Sequence, residues 1–223
     1  CGNFLVIAYR ELRLLELDVL RETFKASSSS VLDIGQIMFV DVDQFYGIEI
    51  EEFPAQIAQV ALWMTDHQMN LRVSEEFGQY FARLPLKKAP SIVHGNALAI
   101  DWRTVVAPKD LTYIVGNPPF LGKKEQSSKQ KAELTAIFHD VDGASVLDYV
   151  TCWHRKATEY MSGNRSIETA FVSTNSITQG EQVGALWPWL LRQQVRVNFA
   201  HRTFEWSSEA KGKAAVHCVI IGF

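Results

Sequence analysis

Residues 113–120 read Tyr-Ile-Val-Gly-Asn-Pro-Pro-Phe, a short apolar run that is followed by asparagine, two prolines and an aromatic residue. Its apolar, β-branched start predicts a buried strand. The two prolines end that strand abruptly, because they have no N–H to donate to a sheet or a helix. Pro118 also keeps Asn117 out of the helical region of backbone conformation. The sequence therefore predicts a stiff corner at the carboxyl end of a strand, the edge at which open α/β sheets bind ligands.

This corner is suited to hold a planar amino group. The Asn117 side-chain oxygen and the Pro118 carbonyl can each accept a hydrogen bond from it, Pro119 stiffens the turn, and Phe120 can stack on the attached ring. Two fixed acceptors stabilise the positive charge that grows on nitrogen during attack, without a general base or a covalent intermediate. The alternative is a proline-terminated strand in a surface loop, which a bare Asn-Pro would favour and the full motif does not.

The composition sets limits on the class of protein. A chain of 223 residues can form one large α/β domain, and 47% hydrophobic with 21% charged residues is typical of a soluble globular protein. The apolar runs are too short to span a membrane. Three cysteines without a CxxC pair favour a reducing cytoplasm. The net charge of −3 is unusual for a stand-alone nucleic-acid binder, so a DNA-acting protein would need a local basic patch or help from a longer chain.

The corner resembles the catalytic motif Asn-Pro-Pro-(Phe/Tyr) of amino methyltransferases that use S-adenosylmethionine. Over nearly the whole chain, the sequence is similar to N6-adenine DNA methyltransferases, especially the methylase region of type IIG restriction-modification enzymes. The resemblance implies Asn117, Pro118, Pro119 and Phe120 as catalytic residues, S-adenosylmethionine as cofactor and double-stranded DNA as partner. It also implies a longer parent chain with a target-recognition region, and leaves open whether a nuclease is fused to it.

The fold that the resemblance implies is a Rossmann-like α/β methyltransferase fold. Its sheet is mostly parallel, in the order 3-2-1-4-5-7-6, with an antiparallel last strand. Residues 1–223 would form a single catalytic domain truncated at its amino end, so that the central first strand is missing. We therefore expect a seam between a two-stranded and a four-stranded portion.

The first five residues, Cys-Gly-Asn-Phe-Leu, run directly into a predicted helix. In the resembled family this block ends the glycine turn after the first strand, which implies that Cys1, Gly2 and Asn3 lie near the methionine end of the cofactor. Helical spacing predicts one buried face and one face towards water. The predicted buried face holds Phe4, Ala8, Leu12 and Leu15, and the face towards water holds Arg10 and Arg13.

Residues 45–50 predict a second buried strand, and a helix is expected from about Phe53 to His67. The expected core stripe of that helix is Ile57, Val60, Ala61 and Met64. Glu49 ends the strand, where many nucleotide folds place a carboxylate that accepts from both ribose hydroxyls. A surface acid at the helix N-terminus is the alternative. The resemblance points to the same residue, with Ile50 beside it.

Residues 91–98 predict a third strand and its turn. The resemblance implies that Asn96 and Ala97 meet the adenine of the cofactor. The family often has Asp where Asn96 stands, and an asparagine can still donate and accept there.

Four lysines lie within residues 121–131, a predicted loop, and Lys123 and Lys124 are candidates for phosphate contact. A solvated loop is the alternative. Beyond a helix expected over 145–160 and a strand over 169–173, strands are expected at 195–200 and 214–222, the second antiparallel. Phe204 lies in their connection, and the resemblance implies that an aromatic there faces the target base; a core aromatic is the alternative.

These patterns predict a site-specific DNA adenine-N6 methyltransferase of a restriction-modification system, which transfers a methyl group directly to a flipped-out adenine. Two alternatives stay open. A glutamine-N5 protein methyltransferase would use the same corner, because a side-chain amide also offers a planar NH₂. The other alternative is a non-catalytic specificity or scaffold piece of a restriction complex. The sequence has no Walker A motif, no HExxH and no spaced set of metal ligands.

Overall fold

The chain forms two compact units, Cys1–Asp101 and Trp102–Phe223, in the computed structural model. The structure describes residues 2–27, 34–78, 80–81, 89–206 and 216–223. Both units combine helices and strands, so the predicted α/β class is confirmed. Among these described residues, no helix is both long and apolar enough to cross a membrane.

The first unit contains two long helices and a pair of parallel strands. These are α1 (Asn3–Ser27), β1 (Tyr46–Glu49), α2 (Glu52–Phe77) and β2 (Ser91–His94). Gly47 pairs with Ile92, and a Cβ on Gly47 would lie 2.9 Å from the Ile92 side chain and 3.2 Å from that of Leu5. A glycine at this position therefore lets β1 pass close beneath the start of α1.

The buried face of α1 is not the predicted one. Tyr9, Arg13 and Leu17 are buried at four-residue spacing, whereas Leu12 and Leu15 are 41% and 58% exposed. The prediction that Arg13 faces water is therefore wrong. Its guanidinium donates to the Val40 carbonyl and to Asn70 Oδ1, both at 3.0 Å, and these hydrogen bonds make burial of the charge possible.

The predicted core stripe of α2 is also wrong, and the helix is longer than predicted. Ile57, Val60 and Met64 are 37–60% exposed, and the buried positions start with small residues. The buried residues of α2 are Ala55, Ala58, Leu62, Thr65, Asp66, Met69, Asn70 and Val73. Small side chains face inward because the chain approaches closely here: a Cβ on Gly2 would lie 2.7 Å from the Ala58 Cβ.

The second unit is a four-stranded sheet with three helices. Its elements are β3 (Tyr113–Gly116), α3 (Ser128–Ile137), α4 (Thr151–Met161), β4 (Glu168–Thr174), α5 (Glu181–Arg192), β5 (Phe199–Trp206) and β6 (Val216–Gly222). The strand order is β3-β4-β6-β5; β3 and β4 are parallel, and β6 is antiparallel to both of its neighbours. The predicted antiparallel last strand is thus confirmed.

Within the part of the chain that the structure describes, β1 pairs with β2 and β3 pairs with β4. The expected two-stranded and four-stranded portions are therefore separate sheets. Two predicted element starts in the second unit are wrong, and one predicted loop is partly helical. α4 begins at Thr151, later than expected; β5 begins at Phe199; and the expected lysine loop gives way to α3, because Ser127 and Gln130 form a reciprocal capping box.

An aromatic cluster fills the core of the second unit beside β3. His154 stacks on Phe223 at 5.7 Å between ring centroids and meets Phe171 edge-on at 5.3 Å. Its Nε2 lies 3.4 Å from the Ser173 hydroxyl. Burial lowers the pKa of His154 to about 4, so the imidazole is neutral in the folded protein at physiological pH.

Replacing Arg13 by alanine should lower the free energy of unfolding by about 3 kcal/mol or more, because the buried partners of its guanidinium lose their hydrogen bonds. The matched control is Arg10→Ala, since Arg10 is exposed and contacts only its neighbour Glu11 among the described residues. That change should cost less than about 0.5 kcal/mol. Urea unfolding measures both. Equal losses would contradict the buried role of Arg13.

The stability of the protein should fall as the pH drops from 6.5 to 4. In this window the unfolded chain protonates His154 while the folded protein, with its lowered pKa, does not. The loss should amount to about 3 kcal/mol, and His154→Gln should remove that part of the pH dependence. Urea unfolding at several pH values measures it. The same pH dependence in both proteins would contradict the neutral, buried state of His154.

Candidate functional site

The Asn-Pro-Pro corner lies at the carboxyl end of β3, as predicted. The prediction that this strand is buried is wrong, since Tyr113 and Val115 are 61% and 44% exposed.

Asn117 is exposed, Pro118 is buried and Phe120 is half-buried, so the amide faces outward while the proline beneath it is packed. A Cβ on Gly116 would lie 3.3 Å from the Phe171 ring, so the glycine allows the aromatic cluster to pack directly under the end of the strand. The corner therefore combines a tightly packed base with an accessible side chain.

The chain that leaves the corner is held by a backbone hydrogen bond. The Tyr149 N–H donates to the Leu121 carbonyl at 2.9 Å. Lys123 and Lys124 follow in a tight turn, and both are exposed. The other two lysines of the predicted loop, Lys129 and Lys131, lie on α3 instead, so the four do not share one loop.

The next strand, β4, ends at the same edge of the sheet because it is parallel to β3. The Thr174 hydroxyl donates to Asp148 Oδ2 at 2.7 Å. Asn175 follows, and its Oδ1 accepts from the hydroxyls of Thr178 at 3.1 Å and Thr203 at 2.7 Å. These contacts tie the end of β4 to the segment before α4 and to β5.

Phe204 lies within β5, not in a connection between strands, so its predicted setting is wrong. It pairs with Cys218, which in turn pairs with Thr174. Since β4 and β5 are both antiparallel to β6, the carboxyl half of β5 points to the edge that carries the corner. The half-buried Phe204 ring therefore lies on a strand that ends at the same edge of the sheet as Asn117.

A cavity of about 460 Å³ opens on the second unit. Its lining residues are Thr178, Ala200, His201, Arg202, Thr203, Val219 and Ile221. Neither Phe204 nor residues 117–120 belong to this lining.

In the first unit, four of the predicted cofactor residues lie at the carboxyl edge of the parallel pair: Glu49, Ile50, Asn96 and Ala97. Glu49 pairs with His94, and its carbonyl accepts from the Gly95 N–H at 2.8 Å. Glu49 Oε1 accepts from the Ile50 N–H at 2.9 Å, which directs the carboxylate towards the start of α2. Asn96 begins the turn after β2, with its Oδ1 accepting from the Leu98 N–H at 2.9 Å and Ala97 inside the turn.

The start of α1 belongs to the same unit. Gly2 has a φ of +70°, and its carbonyl accepts from the Val6 N–H at 2.9 Å in the first turn of the helix. Asn3 is exposed at the helix start. Cys1 lies outside the described residues. The left-handed φ together with the contact to Ala58 means that this position requires glycine.

Sequence reasoning missed the side chains that hold the end of β4 beside the corner, namely Asp148, Thr174 and Thr203. Asp148 precedes α4 and carries no motif, so only the tertiary structure reveals its role. Thr174 and Asn175 could have been found, since they end a predicted strand at the sheet edge where ligands bind. Within the described residues, no group of three His, Cys, Asp or Glu side chains could hold a metal ion.

Comparison with known proteins gives consistent matches. The family model of the MmeI DNA-methyltransferase domain matches residues 1–223. The DNA methyltransferase A of Bacillus subtilis (strain 168) is 39% identical over all of this chain, which spans 25% of the length of that relative. The Type IIL restriction-modification enzyme MmeI, solved in complex with DNA, is 60% identical with a TM-score of 0.91, over all of this chain and 30% of that one.

A more distant structure shows the fold alone. The ATP-dependent Type ISP restriction-modification enzyme LlaBIII, bound to DNA, has a TM-score of 0.57 and 16% identity over 99% of this chain and 16% of that one. The family match over every residue, together with the identity to MmeI, confirms the resemblance drawn from the sequence. The chain belongs to the family of MmeI DNA-methyltransferase domains.

Proposed function

We propose that this domain transfers a methyl group from S-adenosylmethionine directly to N6 of an adenine flipped out of double-stranded DNA, as part of a restriction-modification system. The observation that carries the proposal is the exposed Asn117 on a corner fixed by the buried Pro118. Support for DNA as substrate comes from the family and from the DNA complex of the 60% identical MmeI. Because the chain spans 30% of MmeI, other parts of the parent protein would share target recognition.

The first unit offers residues that fit the cofactor. Glu49 Oε1 accepts hydrogen bonds from Ile50 and Glu51 at 2.9 and 3.5 Å, and among the described residues Oε2 accepts none. A carboxylate with one oxygen to spare, at the carboxyl edge of a parallel pair, suits two ribose hydroxyls. Ile50 is 59% exposed and offers apolar surface beside it. When bound, S-adenosylmethionine would supply an electrophilic methyl group on its sulfonium.

Other residues of the first unit complete this proposal. Asn96 and Ala97 lie on the turn after the neighbouring strand and would meet the cofactor's adenine. Gly2 and Asn3, and by the family resemblance Cys1, would lie near its methionine end.

The second unit would hold the reacting amine. The Asn117 side-chain oxygen and the Pro118 carbonyl would each accept a hydrogen bond from N6, and Pro119 keeps the turn stiff. These acceptors become more favourable as positive charge develops on the nitrogen, so the corner needs no general base. Phe120 would stack on the base for roughly 1–3 kcal/mol, which offsets part of the few kcal/mol that base flipping costs.

Contacts with DNA are part of the same proposal. Lys123 and Lys124 are exposed in the turn directly after the corner, where they would reach the phosphates beside the target base. Phe204 would lie against the flipped base, since its strand ends at the same edge of the sheet. These contacts are few, which agrees with a net charge of −3 and a larger share of DNA binding elsewhere in the parent.

The proposal includes the fold and the domain organisation. The order β3-β4-β6-β5 equals the 4-5-7-6 portion of the order that the resemblance implies, including the antiparallel β6. We propose that both units act as one Rossmann-like catalytic domain. Nothing in the described residues favours a glutamine methyltransferase or a non-catalytic scaffold over this function.

Replacing Asn117 by alanine should leave cofactor binding unchanged and slow adenine methylation by roughly 100-fold or more, because one of two acceptors for the amine is lost. The measurement is methyl transfer from labelled S-adenosylmethionine by the full-length protein to duplex DNA, with calorimetry for cofactor affinity. Asn198→Ala, at an exposed position on the same unit, is the control and should behave as wild type.

Near-normal adenine methylation by Asn117→Ala would rule out the mechanism. The same assay with a translation factor as acceptor tests the glutamine alternative. If the label appeared in the protein but not in the DNA, the substrate would be a protein glutamine and not a DNA adenine. A wild-type protein that binds no S-adenosylmethionine and labels neither acceptor would favour the scaffold alternative.

Replacing Glu49 by glutamine should weaken S-adenosylmethionine binding by about 10- to 100-fold, since hydrogen bonds to a charged group contribute about 1.5–3 kcal/mol. The effect should appear as a raised KM for the cofactor, with methylation recovering at saturating concentration. The control is Glu51→Gln, the same change two residues along, at a position that is exposed where Glu49 is half-buried. Equal cofactor affinity of wild type and Glu49→Gln would remove Glu49 from the site.

A further inference from the structure

The Leu121 carbonyl, one residue beyond Phe120, accepts two hydrogen bonds. One comes from the Tyr149 N–H at 2.9 Å and the other from Gln126 Nε2 at 3.1 Å. Two donors from different segments fix both the position and the orientation of this peptide group. This peptide group joins Leu121 to Gly122, one residue beyond Phe120, so fixing it limits the backbone positions that are open to Phe120.

Gln126 is buried, with 7% of its surface exposed, and its side-chain amide donates hydrogen bonds to two carbonyls. Its Nε2 also donates to the Leu147 carbonyl at 3.0 Å. The backbone N–H of Gln126 donates to the Gly122 carbonyl at 3.2 Å, which folds the turn back so that the amide reaches residue 121. Ser127 then caps α3, so the residue is anchored from its own side as well.

Gln126 hydrogen-bonds the Leu147 carbonyl, and the two residues after Leu147 are themselves fixed by other contacts. The Asp148 N–H donates to Gln182 Oε1 on α5 at 3.0 Å, and the Asp148 carboxylate accepts from the Thr174 hydroxyl at the end of β4. The Tyr149 hydroxyl donates to Glu133 on α3. Gln126 therefore connects the chain beyond Phe120 to a segment that is held by both a strand and two helices.

We propose that Gln126 is a positioning residue for methyl transfer, which holds Phe120 where its ring stacks on the flipped base. This inference rests on the proposed function and adds to it a side chain that touches neither base nor cofactor. The Leu121 carbonyl keeps the Tyr149 N–H as a donor when the amide is removed. The loss of Gln126 should therefore affect the placement of Phe120 more than the stability of the fold.

The test uses the full-length protein with Gln126→Met, which keeps the length of the side chain and removes both donors. The single-turnover rate of adenine methylation should fall by roughly 10- to 100-fold, the effect of misplacing a stacking group by about an ångström. Affinity for S-adenosylmethionine should stay within about twofold of wild type, since the cofactor residues lie in the first unit. Gln179→Met, an exposed glutamine on the second unit, is the matched control and should leave the rate unchanged.

A double-mutant cycle with Phe120→Ala distinguishes positioning from general damage to the fold. If Gln126 acts through Phe120, adding Gln126→Met to Phe120→Ala should cause no further loss of rate. A second readout is the fluorescence of 2-aminopurine placed at the target base. Stacking on Phe120 quenches this fluorescence. Gln126→Met and Phe120→Ala should therefore each give a higher 2-aminopurine fluorescence in the DNA complex than the wild-type protein does.

Additive losses in the cycle, or a Gln126→Met rate equal to wild type, would overturn the inference while leaving the proposed function intact. Absence of adenine methylation by the wild-type protein would instead overturn the proposed function. If Gln126→Met fails to fold, as judged by thermal unfolding, Gln126→Asn replaces it in the cycle. That variant keeps the donors on a side chain too short to reach both carbonyls, and the same two outcomes decide.

Discussion

The end of β3 depends on one constraint, which is that Pro118 and Pro119 have no N–H to donate. The strand pairs with β4 up to Gly116 and Phe171, and the prolines prevent the ladder from continuing. Burial of Pro118 and the packing of Phe171 under Gly116 hold the bend from below. Asn117 is exposed because of this bend, and the chain beyond it passes to a separately anchored segment at Leu121.

A reaction that relies on fixed hydrogen-bond acceptors requires those acceptors to be held rigidly, and it does not require a side chain with a shifted pKa. Two of the shifted pKa values among the described residues belong to core groups: burial lowers that of His154, and burial raises that of Cys152 to about 12. Neither residue is at the corner. This pattern agrees with the proposed transfer, in which Asn117 and Pro118 bind the amine without exchanging a proton with it.

Much of the architecture could be predicted from local sequence, and the failures have a common cause. β3, β4 and β2 were predictable because short apolar runs end in polar or turn residues, and the polar residues at those ends mark the sheet edge. The buried faces of α1 and α2 were not predictable from periodicity. Arg13 is inside because Val40 and Asn70 offer it acceptors from distant segments, which no helical pattern reveals.

The candidate site shows the same division between local signal and tertiary contact. The residues proposed to touch base or cofactor carry local signals, since Asn117 directly follows one strand and Glu49 is the last residue of another. The side chains that hold them do not: Gln126 lies in a turn that reads as a solvated loop, and Asp148 precedes α4 without any motif. Their partners are backbone carbonyls and a hydroxyl supplied by other segments of the second unit. A motif thus identifies the groups proposed to react, whereas the precision with which they are held is set by long-range hydrogen bonds that only the folded chain assembles.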